Sequence, residues 1–186
     1  MKHCGTRQLE TERLILRRFE IDDALPMFEN WASDPEVSRY TTWLPHESVE
    51  ATRALIADWM QRYDEPDYYN WVMALKATGE VIGNISVVRT DDAAGECELG
   101  YCMTRRLWGR GYMPEAARAV AGCLFESVGA RRVVAKHDVD NPKSGRVMQK
   151  LGMTRLGVYE KIFQSNRGPR DAVRYAISRE EWQNRG

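Results

Sequence analysis

The chain has 186 residues, a length typical of one domain. Its 27 lysines and arginines balance 27 aspartates and glutamates, so no broad basic field is available to hold nucleic acid or an anionic membrane. Hydrophobic residues make up 43% and charged residues 29%, a mixture that excludes a disordered chain and needs no disulfide or metal to fold. We expect a single domain over residues 1–186 that binds any anion locally.

The cysteines predict neither a metal site nor a disulfide framework, because they show no CxxC spacing and no neighbouring histidine cluster. The N-terminal stretch lacks the apolar segment of a signal peptide, and no apolar run approaches the roughly 18 residues that span a bilayer. We therefore predict a cytoplasmic protein with reduced thiols, without metal and without a nucleic-acid or membrane partner. The cysteines are Cys4, Cys97, Cys102 and Cys123.

The N-terminal part predicts a β-α unit followed by a second helix. Residues 14–16 form a short apolar strand, and Asp22 is a candidate N-cap for a helix. Ser48 is a good N-cap for the second helix, in which apolar residues recur every three or four positions. The first helix would bury Leu25, Met27, Phe28 and Trp31, and the second would bury Val49, Thr52, Leu55, Ile56, Trp59, Met60 and Tyr63.

The middle of the chain predicts an antiparallel meander and then a long helix. The strands cover residues 69–76, 81–89 and 96–103, with turn residues between them. Pro114 fits the first turn of a helix, and an apolar stripe follows it as far as Gly129. This helix begins directly behind a glycine-containing loop.

The C-terminal part predicts a strand at 133–136, a helix at 142–151 that Gly152 stops, and a hairpin of 159–163 with 172–178. The complete order is β-α-α-β-β-β-α-β-α-β-β. Such an order is neither purely alternating nor segregated, so it predicts an α/β fold with a mixed sheet and helices on both faces.

The loop of residues 106–112, with the sequence RLWGRGY, is the strongest candidate binding site. Glycines let the backbone approach a ligand, and N–H groups at a helix N-terminus suit a phosphate or pyrophosphate. Arg106 and Arg110 add charge. The loop is not GxGxxG, because Pro114 replaces the third glycine, and it lacks the GK(S/T) of a P-loop. The alternative is a glycine-rich turn without a ligand.

The same loop carries a resemblance to a known family. Arg106-x-x-Gly109-x-Gly111 resembles the Q/R-x-x-G-x-G/A loop of GCN5-related N-acetyltransferases (GNAT). Four further motifs are similar in order and spacing to the Rim-type branch, which acetylates the N-termini of ribosomal proteins. They are Glu98-Leu99-Gly100-Tyr101, Glu115-Ala116, Asp140-Asn141-Pro142-x-Ser144 and Lys150-Leu151-Gly152-Met153.

This resemblance covers about residues 9–177 and implies a GNAT-like fold with a splayed central mixed sheet. It also implies acetyl-CoA as co-substrate, with its pyrophosphate on the amides of residues 107–112. The pantetheine arm would lie along the strand at 96–103 as an added strand. The implied cofactor-binding residues are Cys102, Met103, Arg106, Leu107, Trp108, Gly109, Arg110, Gly111, Tyr112, Asn141 and Ser144.

Acetyl transfer to an amine needs a proton acceptor, for which Glu98 is the first candidate and Glu96, on the same strand face, the second. Asp138 and His137 are weaker candidates. The alternative for Glu98 is an ion-paired strand residue that orients a loop. An oxyanion donor would be a strand N–H near Cys102 or Met103. The covalent route through a cysteine is disfavoured, because no histidine is paired with one.

The leaving thiolate needs a hydrogen-bond donor, and the chain departs here from many members of the family. They carry a tyrosine where this chain has Met148, so the resemblance assigns the hydrogen bond to Ser144. It assigns Asn141 to the pantetheine arm or to an ordered water. The alternative is that Asn141 and Ser144, which flank Pro142, only cap a helix.

These observations predict an N-acetyltransferase in which the amine attacks acetyl-CoA directly in a ternary complex. The acceptor is a protein N-terminal α-amine or a small amine such as a polyamine, amino acid or amino sugar. One alternative is a catalytically silent acyl-CoA-binding sensor, and another is a nicotinamide-binding protein that uses Asp138. A homodimer and a monomer both stay open. Aromatic residues that line a cleft or the core are Trp31, Tyr40, Trp43, Trp59, Tyr63, Tyr68, Tyr69, Trp71 and Phe163, and an acidic run contains Asp64, Glu65 and Asp67.

Overall fold

The computed structural model describes residues 1–184 and is built on one eight-stranded mixed sheet. The strand order is β1-β2-β3-β4-β5-β6-β8-β7, and every neighbouring pair is antiparallel except β5 and β6, which run parallel. The strands are β1 (Leu9–Glu10), β2 (Leu14–Arg17), β3 (Asn70–Leu75), β4 (Val81–Asp91), β5 (Glu96–Met103), β6 (Arg132–Asp138), β7 (Thr154–Ser165) and β8 (Gly168–Ser178).

Six α-helices accompany the sheet within the described chain, and side-chain caps begin several of them. Ser48 accepts the N–H of Ala51, and Asn141 accepts the N–H of Ser144, as their types predict. Left-handed glycines end the segments at Gly129 and Gly152. The helices are α1 (Ala24–Met27), α2 (Pro35–Ser38), α3 (Val49–Gln61), α4 (Tyr112–Cys123), α5 (Pro142–Leu151) and α6 (Arg179–Gln183), and a π-helical turn, Leu124–Val128, extends α4.

Each face of the sheet has its own hydrophobic core. One face packs against α4 and α5, and we call it the α4 face. The opposite face packs against α1 and α3 over β3 and the start of β4 only. Over β5, β6 and β8 that opposite face carries charged residues instead, and we call this part the open face. Side chains alternate along a strand, so Leu99 points to the α4 face and Glu98 to the open face.

The predicted order of elements is confirmed, with three short additions. The sequence analysis did not predict β1, α2 or α6, which are two to five residues long and too short for a periodic pattern. The predicted cap at Asp22 is wrong: Glu20 precedes the helical segment, and the Asp23 carboxylate accepts the N–H of Glu20. Leu25 is 48% exposed rather than buried, because this segment passes from a 3₁₀ to a π-helical turn and shifts its apolar face.

The parallel pair at the centre of the sheet separates towards its carboxyl ends. The pairing runs from Glu96 opposite Arg132 to Leu99 opposite Ala135 and then stops, while β5 and β6 both continue. This opening confirms the splayed sheet that the family resemblance implies. Within residues 1–184, none of the helices has the length and apolar character that crossing a membrane requires.

Candidate active site

The opening between β5 and β6 leaves main-chain groups of both strands without a strand partner. Cys102 and Met103, the predicted pantetheine contacts, lie on the part of β5 beyond the last parallel pair. The Met103 carbonyl accepts the indole N–H of Trp108 at 3.0 Å, which ties the following loop to the strand end. An extended ligand that carries amide groups can pair with such an edge as an added strand.

The loop after β5 is shaped by two glycines that have positive φ angles, +80° at Gly109 and +85° at Gly111. These left-handed conformations disfavour any residue with a Cβ. Gly111 is the N-cap of α4, so the N–H groups of the first helical turn have no partner inside the helix. The loop therefore presents a concave set of N–H donors at the positive end of the helix dipole.

The predicted set of amide donors over residues 107–112 needs one correction. The N–H groups of Leu107, Trp108 and Arg110 already donate to carbonyls within the loop, at 3.1–3.4 Å. In the described chain, Gly109 and Gly111 make no such bond. These two N–H groups, with those of Tyr112 and Met113 in the first turn of α4, are the donors available to a pyrophosphate, because Pro114 has none.

Glu115 fastens the start of α4 to the N-terminal part of the chain. Its carboxylate accepts the Thr11 hydroxyl at 2.6 Å, the Arg13 N–H at 2.9 Å and the Arg13 side chain at 2.7 Å. Burial alone would raise the pKa of Glu115, but these hydrogen bonds and the Arg13 charge together outweigh it and lower the pKa. Arg13 also lies over the Tyr112 ring, so it supports the loop on two sides. The sequence analysis did not identify Thr11 or Arg13.

The two loop arginines differ in their surroundings. Arg106 contacts the carboxylate of Glu80 in the β3–β4 turn, so its charge is already compensated. Arg110 pairs with no carboxylate within residues 1–184, and its carbonyl accepts a hydrogen bond from Arg13. Lys143, in the first turn of α5, lies 4.7 Å from the Trp108 ring centre and brings a further cation to the loop.

Glu98 lies on the open face, one residue before the parallel pairing ends. Its Oε1 accepts a hydrogen bond from Lys136 Nζ at 2.5 Å, and its Oε2 is 3.5 Å from the side chain of Arg89. The side chain is therefore ion-paired, as the structural alternative of the sequence analysis described. Glu96, the second candidate, accepts from Arg89 and Arg174 at 2.8 Å each on one oxygen.

Asp138 and His137, at the end of β6, are held by other groups. The Asp138 carboxylate accepts from Arg170 at 3.0 Å and from the Asp140 N–H at 2.9 Å. Burial would raise its pKa, but the bonds to Arg170 and Asp140 prevail and lower it. His137 faces α5, where it lies against Gly145 and bonds the Asp138 carbonyl at 2.7 Å.

Ser144 and Tyr101 form a hydroxyl pair across the opening. Ser144 lies in the first turn of α5, and its Oγ is 3.0 Å from the Tyr101 hydroxyl of β5. The Tyr101 hydroxyl also donates to the Ser144 carbonyl at 3.1 Å. Burial raises the pKa of Tyr101 far above its usual value, so the phenol stays protonated. Asn141 caps α5 at 3.4 Å, and Met148 is buried in the core.

Tyr101 is the functional candidate that sequence reasoning missed. It stands in the motif Glu98-Leu99-Gly100-Tyr101, which was used only for the resemblance. Cys102 is not a nucleophile candidate, because burial raises the pKa of its thiol to about 12 and the thiol donates to Asn84. Burial likewise raises the pKa of Cys123 to about 11.

A cavity of about 420 Å³ lies beside Glu98, between β3, β4 and the segment after α3. A chain of polar groups crosses its floor: Cys102 donates to Asn84 at 2.9 Å, Asn84 to Asn70 at 3.5 Å, and Asn70 to Tyr68 at 3.3 Å. Of the predicted aromatic candidates, Trp59, Tyr68 and Tyr69 line this cavity, whereas Trp31, Tyr63 and Trp71 are core residues.

The tip of the β7–β8 hairpin docks on the segment after α2. The side chain of Asn166 donates to the carbonyls of Ser38 and Trp43 at 2.8 and 2.7 Å, and its N–H donates to Thr41 at 2.9 Å. Of the acidic run, Asp67 lines the cavity, and Glu65 pairs with Arg62.

Comparison with known proteins gives the same family as the motifs. The family model "Acetyltransferase (GNAT) domain" matches residues 13–154. The chain is 33% identical over 156 residues to the uncharacterized N-acetyltransferase p20 of Bacillus licheniformis, covering 82% of this chain and 87% of that protein. It is 25% identical over 177 residues to the putative ribosomal N-acetyltransferase YdaF of Bacillus subtilis, covering 92% of this chain and 94% of that protein.

A solved structure of an acetyltransferase assigned to that activity by similarity, from T. thermophilus, superimposes with a TM-score of 0.82 at 30% identity. The alignment covers 96% of this chain and 92% of that one. The family model, the relatives and the shared fold all agree with the glycine loop and the strand opening. The chain therefore belongs to the GNAT family of acetyltransferases, which use acetyl-CoA, and it is an acetyltransferase.

Proposed function

We propose that the protein transfers the acetyl group of acetyl-CoA to a primary amine by direct attack of the amine in a ternary complex. The observation that carries this proposal is the unpaired end of β5 beside the free N–H groups at the start of α4. Acetyl-CoA supplies an activated thioester carbonyl and a thiol leaving group. Gly109, Gly111 and Tyr112 suit its pyrophosphate, and the main chain of Cys102 and Met103 suits its pantetheine amides.

Glu98 accepts the amine proton in this proposal, directly or through a water molecule. Its position on the open face, next to the end of the parallel pairing, supports the role. Lys136 holds Oε1 closely, whereas Oε2 has only the 3.5 Å contact with Arg89, so Oε2 is the oxygen available to an incoming proton. Lys136 and Arg89 also fix the orientation of the carboxylate.

Ser144 stabilises the departing thiolate in this proposal, and Tyr101 orients Ser144. When the Tyr101 hydroxyl donates to Ser144 Oγ, the serine proton is free to point into the opening. A thiol has a pKa of about 8.5, so one hydrogen bond to the thiolate is a useful stabilisation near neutral pH. Tyr101 is thus a positioning residue, and Asn141 positions α5 through its cap.

The acceptor is a protein N-terminal α-amine or a small amine, and the similarity to a putative ribosomal N-acetyltransferase favours the first. The polar floor of Asn70, Asn84 and Ser86 offers hydrogen bonds to an amide or hydroxyl-bearing acceptor. Polycations gain little from this cavity, because its arginines outnumber Asp67, the carboxylate in its lining.

The first test measures binding of the donor. Acetyl-CoA is expected to raise the melting temperature of the wild-type protein. Gly109→Ala should abolish most of this rise, because φ at this position is +80°. Gly168→Ala is the matched control: φ there is +93°, a Cβ at either position meets open space, and the residue lies in the distant β7–β8 turn. Equal rises in both variants would overturn the placement of the donor.

The second test measures thiol release from acetyl-CoA with N-terminal peptides, polyamines, amino acids and aminoglycosides as acceptors. Release with the peptides and not with the polyamines is the expected result. Release with polyamines alone would overturn the acceptor class. Donor binding without release from any acceptor would favour the silent-sensor alternative over the proposed reaction.

A further inference from the structure

The open face carries more cations than its carboxylates need. Glu96 alone contacts three of them: its Oε1 accepts from Arg89 and Arg174 at 2.8 Å each, and its Oε2 lies 3.8 Å from Arg132. Glu96 is only 8% exposed, so its charge is buried beneath the three guanidinium groups. One well-placed arginine would be enough to pair a buried carboxylate.

Glu98 extends the same arrangement towards the opening. It is 7% exposed and is shared by Lys136 and Arg89. Arg89 therefore bridges the two glutamates. We call the four cations the cationic ring; they are Arg89, Arg132, Lys136 and Arg174.

Strand register places the cationic ring on one surface. Arg132 lies opposite Glu96 in the parallel pair, and Lys136 lies opposite Arg174 in the next pair, so these side chains share the open face. The helices of this side cover β3 and the start of β4 instead. The side chains of the cationic ring consequently stay between 26% and 50% exposed.

Four cations against two glutamates leave a local surplus of two positive charges on a chain whose net charge is zero. Asp91 ends β4 on the same face, and its carboxylate accepts the N–H of Ala94 in the adjoining turn. A surplus of this kind next to a cavity attracts anions at short range.

The cationic ring is continuous with the acceptor cavity, because Arg89 lines both. Glu98, the proposed base, is also bonded to two of its members. An amine held at Glu98 therefore places its neighbouring groups over the cationic ring. Guanidinium groups bind carboxylates through paired hydrogen bonds, so an acidic neighbour would fit this position.

We propose that the cationic ring selects acceptors with acidic residues directly after the reacting amine, that is, peptide N-termini with aspartate or glutamate at the next positions. This inference rests on the proposed acetyl transfer. It adds a charge specificity that neither the glycine loop nor the strand opening determines.

The test compares three peptides that have the same N-terminal residue and length, followed by three glutamates, three glutamines or three lysines. Their dissociation constants are measured calorimetrically on protein saturated with coenzyme A, so no turnover is needed. The glutamate peptide is expected to bind at least tenfold more tightly than the glutamine peptide, and the lysine peptide more weakly than both. Raising the salt concentration should reduce the preference.

Arg132→Gln is the informative variant, because Glu96 keeps Arg89 and Arg174 and the buried carboxylate stays paired. It should reduce the glutamate preference about threefold without changing the melting temperature greatly. Arg118→Gln is the matched control, since Arg118 is an exposed arginine of α4, on the other side of the sheet. It should keep the full preference.

Equal affinities for the three peptides, or no measurable binding of any, would overturn the charge specificity. Thiol release is measured in parallel with the same peptides. Release without preference would leave the acetyl transfer standing and refute the specificity. Preference without release would support the cationic ring as an acidic-peptide surface and refute the proposed reaction.

Discussion

The two faces of β5 and β6 differ completely in chemistry although the same strands build both. On the α4 face, Leu99 and Ala135 are buried in an apolar core. On the open face, Glu98 and Lys136 from the same strands form a tight ion pair. The apolar face fixes the strand positions to within packing distance, and this leaves the other face free to hold charges that would be costly in a core.

The largest expected effect is on the chemical face. Glu98→Gln should lower kcat about 10³-fold, equivalent to about 4 kcal/mol, because a general base contributes in this range. The rise in melting temperature with acetyl-CoA should stay unchanged. Steady-state thiol release measures the first quantity.

Glu96→Gln is the matched control for that experiment, since Glu96 is equally buried, ion-paired and on the same strand face. Its kcat should change only a few-fold. A similar loss in both variants would mean that the ion pairs, and not proton transfer, set the rate.

The next effect is on the apolar face. Leu99→Ala should reduce the free energy of unfolding by about 3 kcal/mol, because it leaves a cavity in a packed core. Urea denaturation measures the loss. Leu44→Ala, at a side chain 68% exposed, should stay within about 0.5 kcal/mol of the wild type. A small loss at Leu99 would show that the core does not fix β5.

A smaller effect is expected at the hydroxyl pair that joins β5 to α5. Tyr101→Phe should lower kcat about tenfold and leave the dissociation constant of acetyl-CoA unchanged, because it frees Ser144 from its partner. Ser144→Ala should cause a similar loss, and the double variant should lose little more than either. Tyr175→Phe removes another buried hydroxyl, on the same face, and should keep full activity. Additive losses would contradict the assigned positioning role.

The smallest effect concerns the support of the glycine loop. The pKa of Glu115 is lowered in the folded protein, so its stabilisation is present above about pH 4.3, the ordinary value, and is lost as the pH falls through the folded value. Glu115→Gln should therefore cost about 1 kcal/mol at pH 7 and progressively less towards about pH 3.5.

Urea denaturation across that pH range measures this difference. The exposed Glu126, changed to Gln, should keep the wild-type stability within about 0.5 kcal/mol at pH 7. A cost at Glu115 that persists unchanged at the acid end of the range would refute the charge-based explanation.

Local signals predicted most of the fold. Ser48 and Asn141 cap helices, and Gly129 and Gly152 end helical segments, because a short polar side chain or a missing Cβ has the same effect wherever it occurs. The predicted cap at Asp22 was wrong, since two adjacent aspartates compete and only Asp23 reaches back to the Glu20 N–H.

The site could be predicted only as far as its local parts. The loop glycines were identified, but which amides remain free depends on hydrogen bonds inside the loop. The Lys136 partner of Glu98 lies 38 residues away across a parallel pair, and no pattern along the chain determines that register. Tyr101 was overlooked because its partner, Ser144, lies on another element.

The four-residue pairing of β5 with β6 has a mechanical consequence. The strands up to Met103 and those from Arg132 onwards form two antiparallel plates, and this short joint is the sheet's connection between them. A ligand lying in the gap would act as a staple between the plates. Hydrogen exchange at Ala135 and Lys136 should therefore slow when acetyl-CoA binds, as the two plates begin to open as one unit.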